Sequence, residues 1–295
     1  MARWDAGRLS QQQAELVSSL FGAPELIADL SWGQMDTKVL HVRDGGTHVI
    51  VKAAGPENHH IGREITAHSF WTRPLVSQGR AARLMYSSRE LNLLVLGYLD
   101  GTLVEGTRLE LDEDTHAQAG KILKTLHSQE LRVDDEYEAA ATAKALTWLD
   151  REHRIDQEVE GEVRRRLTEY RPHPREVVPT HGDWQPRNWL SDGTDVRAID
   201  FGRFGFRPAA TDFCRLAVQQ WQQRPGLEAA FLAGYGDDLR NKGAWRIDLL
   251  REAVGTAVWA YLVGDERFES QGHRMLQQAL QEEPAPVRGG AGSSV

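Results

Sequence analysis

The sequence predicts an α+β fold with a small β-rich first part and a larger, mostly helical second part. Two observations carry this prediction. Residues 25–101 contain short β-type runs and one amphipathic helix, whereas apolar residues recur at three- and four-residue steps through most of residues 110–282. A short irregular stretch near residues 177–208 interrupts the helical part.

Length and composition limit the domain organisation. The chain has 295 residues, of which 40% are apolar and 26% are charged, which suits a globular protein with one large domain or two lobes. We predict an N-terminal lobe at residues 1–100, ending in a linker at 97–101, and a helical C-terminal lobe at 101–282. Residues 283–295, rich in glycine, proline and serine, are predicted to form a disordered tail.

Charge and cysteine content exclude several classes of protein. The net charge of −8 argues against sequence-independent binding of DNA or RNA, which needs clustered cations. No apolar stretch approaches the ~20 residues of a membrane helix, and the first residues do not form a secretory leader. Cys214 is the single cysteine, which excludes an intrachain disulfide. We expect a cytoplasmic protein, monomer or homodimer, without a nucleic-acid or membrane partner.

The elements can be followed along the chain. Two β-type runs flank Asp44-Gly45-Gly46, which is typical of a hairpin turn. A helix then opens at Pro56 and Glu57, with apolar residues at spacings of four and three. The predicted elements are strands at 38–42 and 47–53, a helix at 56–72, a buried strand at 91–96, and helices near 112–128, 140–154, 156–170, 211–224, 226–236, 244–264 and 266–282.

A lysine and a glutamate fall on inward-facing positions of the β-rich part. Lys52 shares a strand face with Ile50, and Glu64 lies on the apolar face of the following helix. An inward charge is costly unless it is paired, so the simplest arrangement is a Lys52–Glu64 ion pair that leaves the ammonium able to meet a phosphate. The alternative is that Lys52 extends to water and Glu64 pairs with Arg63 or His60.

The irregular stretch contains a predicted β-hairpin with oxygen-bearing side chains at one end. Residues 191–195 form its turn, and pairing about residue 194 places Trp189 opposite Ile199 and Asn188 opposite Asp200. Directly opposed residues have Cβ atoms roughly 4.5–5.5 Å apart, so the amide and the carboxylate are presented together. Two hard oxygen ligands suit Mg²⁺, which completes its shell with water and substrate phosphates.

A third oxygen-bearing side chain lies just before this hairpin. Asp183 precedes Asn188 by five residues, in a loop held by Gly182 and Pro186. If Asp183 approaches Asp200, the two carboxylates repel by about 4 kcal/mol at ~4 Å and an effective dielectric of ~20. That cost is tolerable with a cation present or with one acid protonated, which again favours a metal. The alternative is that each residue is only a turn former or a helix cap.

Together these motifs resemble the aminoglycoside phosphotransferase and choline kinase family. The resemblance covers roughly residues 25–265 in the right order, and Arg207 stands where the family has an aspartate before a segment similar to Pro208–Phe213. It implies a bilobal, protein-kinase-like α+β fold. The residues that carry it are His181-Gly182-Asp183 with Asn188, Ile199-Asp200-Phe201-Gly202, Lys52 and Glu64.

The resemblance also implies a role for each of these residues. Asp183 would be the catalytic acid/base that positions a substrate hydroxyl and accepts its proton. Asn188 and Asp200 would hold Mg²⁺ on the phosphates of ATP, or less often GTP. Lys52, oriented by Glu64, would contact the α- and β-phosphates.

The remaining implied positions surround the purine and brace the loop. The purine would bond to the carbonyl of Gly97 and the amide of Leu99, with Leu96 lining the pocket behind it. The nucleotide flap would lie at residues 31–38, which hold one glycine, so a protein-kinase glycine-rich loop is absent. Asp212 would brace the catalytic loop. The chain also lacks a Walker-type phosphate loop.

Other functions are compatible with parts of the pattern. A metal-dependent phosphoesterase built on His181, Asp183 and Asp200 would need several more His or Asp ligands. A non-catalytic kinase-like protein would bind nucleotide without turnover.

The identity of the small-molecule acceptor stays open. The acidic net charge suits a cationic acceptor, such as an aminoglycoside or a basic peptide antibiotic that is inactivated by phosphorylation. The second hypothesis is a metabolic kinase for an amino alcohol, sugar or nucleoside.

Overall fold

A computed structural model describes residues 3–33, 35–241 and 244–281. The chain divides into two compact units, the first comprising Met1–Asp135 and Pro174–Asn241 and the second Glu136–His173 and Lys242–Val295. The predicted boundary at residue 100 falls inside the first unit, and the predicted division into lobes stays a prediction. The predicted tail at 283–295 lies outside the described residues.

A β-rich part precedes a helical part, as the periodicity predicts. The strands are β1 (Glu25–Asp29), β2 (Lys38–Asp44), β3 (Thr47–Ala53), β4 (Leu84–Ser88), β5 (Leu93–Gly97), β6 (Thr102–Leu103), β7 (Arg132–Asp134), β8 (Arg175–Thr180), β9 (Trp189–Ser191), β10 (Val196–Ala198) and β11 (Gly205–Arg207). The α-helices are α1 (Gln11–Leu20), α2 (His59–Phe70), α3 (Arg73–Ser77), α4 (Glu113–His127), α5 (Tyr137–Leu149), α6 (Gln157–Glu169), α7 (Cys214–Val218), α8 (Gln220–Gln223), α9 (Pro225–Tyr235), α10 (Trp245–Val263) and α11 (Glu266–Gln281).

An antiparallel sheet with strand order β1-β2-β3-β5-β4 forms the β-rich part of the first unit. The predicted hairpin between β2 and β3 is confirmed, with Asp44 paired to Thr47. Gly45 in its turn adopts a φ of 58°, a conformation that favours glycine. The outer strands β1 and β4 are additions to the predicted set.

Helix α1, which the sequence analysis missed, covers one face of this sheet. Its residues Ala14 and Val17 join Val49 and Val51 of β3 in one buried apolar cluster. The helix begins with a capping box, because Ser10 accepts from the amide of Gln13 and the Gln13 side chain accepts from the amide of Ser10. This local signal was available in the sequence.

Helix α2 packs against the opposite face, where it positions Glu64. Asn58 caps its first turn by accepting from the amides of His60 and Ile61, so the helix begins two to three residues later than predicted. The apolar positions Ile61 and Ile65 pack with β5 residues of the buried cluster, as the predicted spacing requires.

A close helix pair supports the helical part of the first unit. Helices α4 and α9 meet at two glycines. A Cβ on Gly120 would lie 2.3 Å from the carbonyl oxygen of Phe231, and one on Gly234 would lie 2.0 Å from that of Ala117. Neither position has room for a side chain, so the two backbones pack directly against each other.

The segment predicted as one helix at 211–224 is divided. It contains a short 3₁₀ helix at Ala209–Phe213, followed by α7 and α8. The prediction of one continuous helix is wrong because Gln219 leaves helical geometry, with φ −122° and ψ −91°.

The second unit is helical and holds α5, α6, α10 and α11. Arg251 on α10 is buried and pairs with Glu138 at 3.1 Å and with Asp248 at 3.2 Å. Within the described ranges, no helix combines the length and the apolar character that crossing a bilayer requires.

Candidate active site

Lys52 and Glu64 form a buried ion pair between β3 and α2. The Lys52 ammonium donates to both carboxylate oxygens of Glu64, at 2.8 and 2.9 Å, and Glu64 is only 2% exposed. The predicted pair is therefore confirmed, and the alternative partners Arg63 and His60 are not used. Burial alone would lower the pKa of Lys52, but the carboxylates of Asp200 and Glu64 raise it above its ordinary value.

Asp200 is the third member of this cluster. Its Oδ1 accepts from the Lys52 ammonium at 3.2 Å, while its side chain stays 53% exposed. The positive charge of Lys52 lowers the pKa of Asp200, so this carboxylate is anionic at neutral pH. The buried carboxylate of Glu64 thus holds Lys52 from the inside, and the carboxylate of Asp200 is exposed to solvent.

The hairpin before Asp200 is present, but its register differs by one residue from the prediction. Trp189 pairs with Ala198, and the amide of Ile199 donates to the carbonyl of Asn188 at 3.0 Å. The predicted pairs Trp189–Ile199 and Asn188–Asp200 are therefore wrong. The physical reason is the turn, in which Asp192 Oδ1 accepts the amides of residues 194 and 195, so its centre falls between residues 193 and 194.

This correction changes how Asp200 reaches the site. A one-residue slip in register moves a side chain to the other face of a ribbon. Asp200 lies beyond the last ladder pair and adopts a φ of 63°, which is rare for a residue other than glycine. Its own left-handed backbone, and not a ladder position opposite Asn188, therefore sets the direction of the carboxylate toward Lys52.

The loop that contains Asp183 is held at its base by Asp212. The two carboxylate oxygens of Asp212 accept from the amides of His181 and Gly182, at 2.8 and 2.7 Å, and one of them lies 3.1 Å from His127 Nε2. Burial alone would raise the pKa of Asp212, but the hydrogen bond and the charge of the neighbouring His127 lower it below its ordinary value. Gly182 has a φ of 81°, and a Cβ there would lie 2.2 Å from the carbonyl oxygen of Arg203.

Asp183 follows this brace and is saturated with hydrogen bonds. Its Oδ1 accepts from Gln185 Nε2 at 2.7 Å and from Arg215 Nε at 2.8 Å. Its Oδ2 accepts from Arg187 at 2.8 Å and from Asn188 Nδ2 at 2.9 Å. Burial alone would raise the pKa of Asp183, but the nearby arginines hold it well below its ordinary value. The carboxylate is therefore a buried anion enclosed by cations and amides.

The two parts of the site lie within electrostatic range of each other. The charge of Asp183 opposes ionisation of Asp200, and Asp200 in turn raises the pKa of Arg187. The structure therefore brings Lys52, Glu64 and Asp200 into one cluster and Asp183 and Asn188 into a second cluster beside it.

The residues predicted to hold Mg²⁺ have suitable donor atoms. Both hydrogen bonds that Asn188 makes through Nδ2 go to Asp183, so its amide oxygen is the atom left for a ligand. The exposed Asp200 carboxylate supplies a negative charge. Among the described residues, no group of three or more His, Cys, Asp or Glu side chains is arranged to hold a metal. A Mg²⁺ held by Asn188 and Asp200 would therefore take its other ligands from water and phosphates.

The predicted linker packs against the sheet of the first unit. Leu96 is buried on β5, and Leu99 packs against the apolar cluster that contains it. The amide of Gly97 donates to the carbonyl of Arg83 at 2.9 Å. In the flap, the Trp32 ring lies 5.9 Å from the Arg187 guanidinium carbon, and Gln34 is outside the described residues.

The sequence profile described as "Phosphotransferase enzyme family" matches residues 41–246, which is more than half of the chain. The chain belongs to the phosphotransferase enzyme family. The resemblance found in the sequence motifs is thereby confirmed. A search of curated proteins gives no match to this phosphotransferase.

Several solved structures share the fold of this phosphotransferase at low sequence identity. Choline kinase LicA from Streptococcus pneumoniae has a TM-score of 0.62 and 16% identity, covering 90% of this chain and 96% of its own. A thermostable mutant of aminoglycoside phosphotransferase APH(4)-Ia, in ternary complex with ADP and hygromycin B, has a TM-score of 0.64 and 13% identity, with 95% and 99% covered. Macrolide 2'-phosphotransferase MphH from Brachybacterium faecium has a TM-score of 0.57 and 14% identity, with 90% and 94% covered. The predicted protein-kinase-like α+β fold is confirmed.

Sequence reasoning missed the two arginines that hold Asp183 in this phosphotransferase. Arg187 lies inside the recognised motif, between Asp183 and Asn188, so its proximity was readable from the sequence. Arg215 lies 32 positions after Asp183 and reaches it through the tertiary fold, so no local signal indicated it. Arg207, noted as a departure from the family segment, donates to Thr180 Oγ1 at 2.9 Å and to a neighbouring carbonyl oxygen.

Proposed function

We propose that this phosphotransferase transfers the γ-phosphoryl group of ATP, or of GTP, to a hydroxyl of a small molecule, with Mg²⁺ as its metal. The observation that carries the proposal is the ammonium of Lys52 fixed between buried Glu64 and half-exposed Asp200. A cation held next to an outward-facing carboxylate can receive negatively charged phosphates together with a divalent ion. The linker residues Leu96, Gly97 and Leu99 remain the proposed purine site.

The proposed chemistry needs charge and position more than a strong base. Phosphoryl transfer passes through a loose transition state with charge on the equatorial oxygens, so fixed cations supply most of the catalysis. A Mg²⁺ on Asn188 and Asp200 would neutralise part of that charge. Lys52 would orient the α- and β-phosphates. Asp183, anionic in the structure, would position the acceptor hydroxyl and receive its proton.

We propose a cationic antibiotic as the acceptor. The net charge of −8 favours the approach of a cation, and one structural neighbour binds ADP and hygromycin B. A metabolic amino alcohol kinase is the second candidate, because choline kinase LicA and an ethanolamine kinase from Plasmodium vivax are also structural neighbours. Both acceptor classes present a hydroxyl on a molecule with a positive charge.

An assay of nucleoside diphosphate release tests the proposal and separates these candidates. The purified full chain is incubated with MgATP or MgGTP and with single acceptors: hygromycin B and other aminoglycosides, a basic peptide antibiotic, choline, ethanolamine, sugars and nucleosides. We expect release above the rate without acceptor, together with a phosphorylated product detected by mass spectrometry. Nucleotide binding without release for any acceptor would contradict the catalytic proposal and favour the non-catalytic binding protein.

The first variant to test is Asp183→Asn. We expect it to lower the rate of transfer by about 10²–10⁴-fold, because the group that receives the hydroxyl proton is lost. Binding of MgADP, measured by calorimetry, should change by less than about threefold, since Asp183 is not a proposed nucleotide ligand. Transfer at the rate of the unmodified chain would remove Asp183 from the mechanism.

A further inference from the structure

The two oxygens of Asp183 differ in how they can be reached. Oδ1 is enclosed by Gln185 and Arg215, whose side chains are both buried, Arg215 being only 4% exposed. Oδ2 is held by Asn188, which is buried, and by Arg187, which is 26% exposed. The Arg187 side therefore offers the more open approach to this carboxylate.

An acceptor hydroxyl cannot use Oδ2 while all the hydrogen bonds are in place. A carboxylate oxygen has about two lone-pair sites, and on Oδ2 the bonds from Arg187 and Asn188 occupy them. The Asn188 amide is also tied to the backbone carbonyl of Asp183 at 2.7 Å. Arg187 is the donor on the more exposed side, so its hydrogen bond to Oδ2 is the one that must break for a hydroxyl to bind there.

The surroundings of Arg187 show where the displaced guanidinium could go. Its charge interacts with Asp200 as well as with Asp183, and its guanidinium carbon lies 5.9 Å from the ring of Trp32 in the predicted flap. Arg187 thus lies between the proposed base, the proposed metal ligand and the flap. Phosphate oxygens held by Lys52 and by a Mg²⁺ on Asp200 would offer a stronger and bidentate partner than one oxygen of a carboxylate.

We propose that Arg187 is a further catalytic residue of this phosphotransferase: it covers Oδ2 of Asp183 in this structure and moves onto the transferred phosphoryl group when nucleotide binds. The same movement frees Oδ2 for the acceptor hydroxyl and adds a cation where charge develops. This inference rests on the proposed function, because it assumes nucleotide phosphates beside Asp200.

The atoms and charges of the step balance without another reactant. The acceptor oxygen forms a bond to the γ-phosphorus while the bond from that phosphorus to the bridging oxygen breaks. The bond electrons leave with the nucleoside diphosphate, and the acceptor proton passes to Oδ2 of Asp183. Arg187 donates hydrogen bonds to the phosphoryl oxygens throughout and gains or loses no proton.

Binding of a transition-state mimic measures this contact directly. Calorimetry compares the full chain with Arg187→Ala for two probes, MgADP alone and MgADP with aluminium fluoride. We expect Arg187→Ala to weaken the aluminium fluoride complex by about 10²–10³-fold and MgADP by less than about threefold, because only the first probe fills the γ-phosphoryl position. Equal weakening of both probes, or of neither, would overturn the proposal.

Two further variants keep the test decisive. Arg187→Lys retains a cation and should recover part of the aluminium fluoride affinity, and guanidinium ion added to Arg187→Ala should restore part of its rate of transfer. Arg165→Ala is the matched control, since Arg165 is exposed, pairs only with neighbours of its own helix α6, Glu162 and Glu169, among the ion pairs seen, and should leave both affinities unchanged. Absence of recovery by both the lysine variant and guanidinium would contradict a role through positive charge.

The outcomes also separate this inference from the proposed function. If Asp183→Asn is inactive and Arg187→Ala transfers phosphate as fast as the unmodified chain, the proposed function stands and the role of Arg187 is wrong. If neither MgADP nor its aluminium fluoride complex binds the unmodified chain, the proposed function itself fails, and the inference about Arg187 fails with it.

Discussion

The two charged centres of the site are built from the same kinds of side chain but in opposite proportions. Around Lys52, two carboxylates share one cation, which leaves an excess negative charge on half-exposed Asp200. Around Asp183, two arginines share one carboxylate, which leaves an excess positive charge and a saturated anion. The first centre therefore suits the proposed metal cation, whereas the second would have to rearrange to accept the proposed hydroxyl.

This contrast accounts for the low pKa of Asp183. A buried carboxylate without partners would be protonated or would destabilise the fold, and the fold keeps Asp183 charged by pairing it with arginines. At Asp200 the exposed side of the carboxylate is left to solvent.

Asp200→Asn should have the largest effect, because it removes the excess negative charge from the open centre. We expect the affinity for MgADP to fall by about 100-fold, with a still larger loss of transfer rate. Titration of Mg²⁺ at fixed ADP measures the change. The control is Asp195→Asn, in the turn of the same hairpin, where the carboxylate pairs with Arg80 at 2.9 Å. Unchanged dependence on Mg²⁺ would show that Asp200 is not a metal ligand.

Lys52→Met should come next, since it removes the cation but keeps the length of the side chain. We expect the rate of transfer to fall by about 100-fold as a fixed positive charge beside the phosphates is lost. Steady-state kinetics with a working acceptor gives the rate, and thermal unfolding is recorded in parallel because Glu64 loses its partner. The exposed Lys121 provides the control variant Lys121→Met. A loss confined to thermal stability would leave Lys52 a purely structural role.

Asp212→Asn should have the smallest effect on chemistry, because Asp212 acts on the second centre through the backbone. We expect the free energy of unfolding to fall by about 2–3 kcal/mol, as charged hydrogen bonds to the amides of His181 and Gly182 are weakened. Rates should fall only severalfold.

The pH dependence of that loss provides a second check. The pKa of Asp212 is lower in the folded chain than the value of about 3.9 in unfolded chains, so its stabilisation is complete above that pH. The stabilisation is lost as pH falls through the folded pKa. Denaturant unfolding should therefore show the full difference between Asp212→Asn and the unmodified chain at pH 7 and a shrinking difference below about pH 4. A difference that is constant with pH would mean that the Asp212 charge does not stabilise the loop.

The two centres were not equally predictable from the sequence. The Lys52–Glu64 pair was predictable because strand alternation and helix periodicity place both residues inward, and an inward charge needs a partner. The hairpin was predicted correctly, but its register depended on how one aspartate side chain closes the turn, which composition does not specify. Arg215 belongs to a contact made by tertiary packing, which periodicity cannot reveal.

The glycine contact between α4 and α9 has a consequence far from its own position. His127 ends α4, bonds to Tyr235 at the end of α9 at 2.9 Å, and lies against Asp212. The position of the loop that contains Asp183 thus depends on the spacing of α4 and α9, whose backbones are in contact at Gly120. A methyl group at Gly120 would push α4 and α9 apart. We expect this to displace His127 and Asp212, and with them the loop that contains Asp183. In a saturation mutagenesis screen, Gly120 should therefore tolerate as few replacements as the residues that meet the substrates.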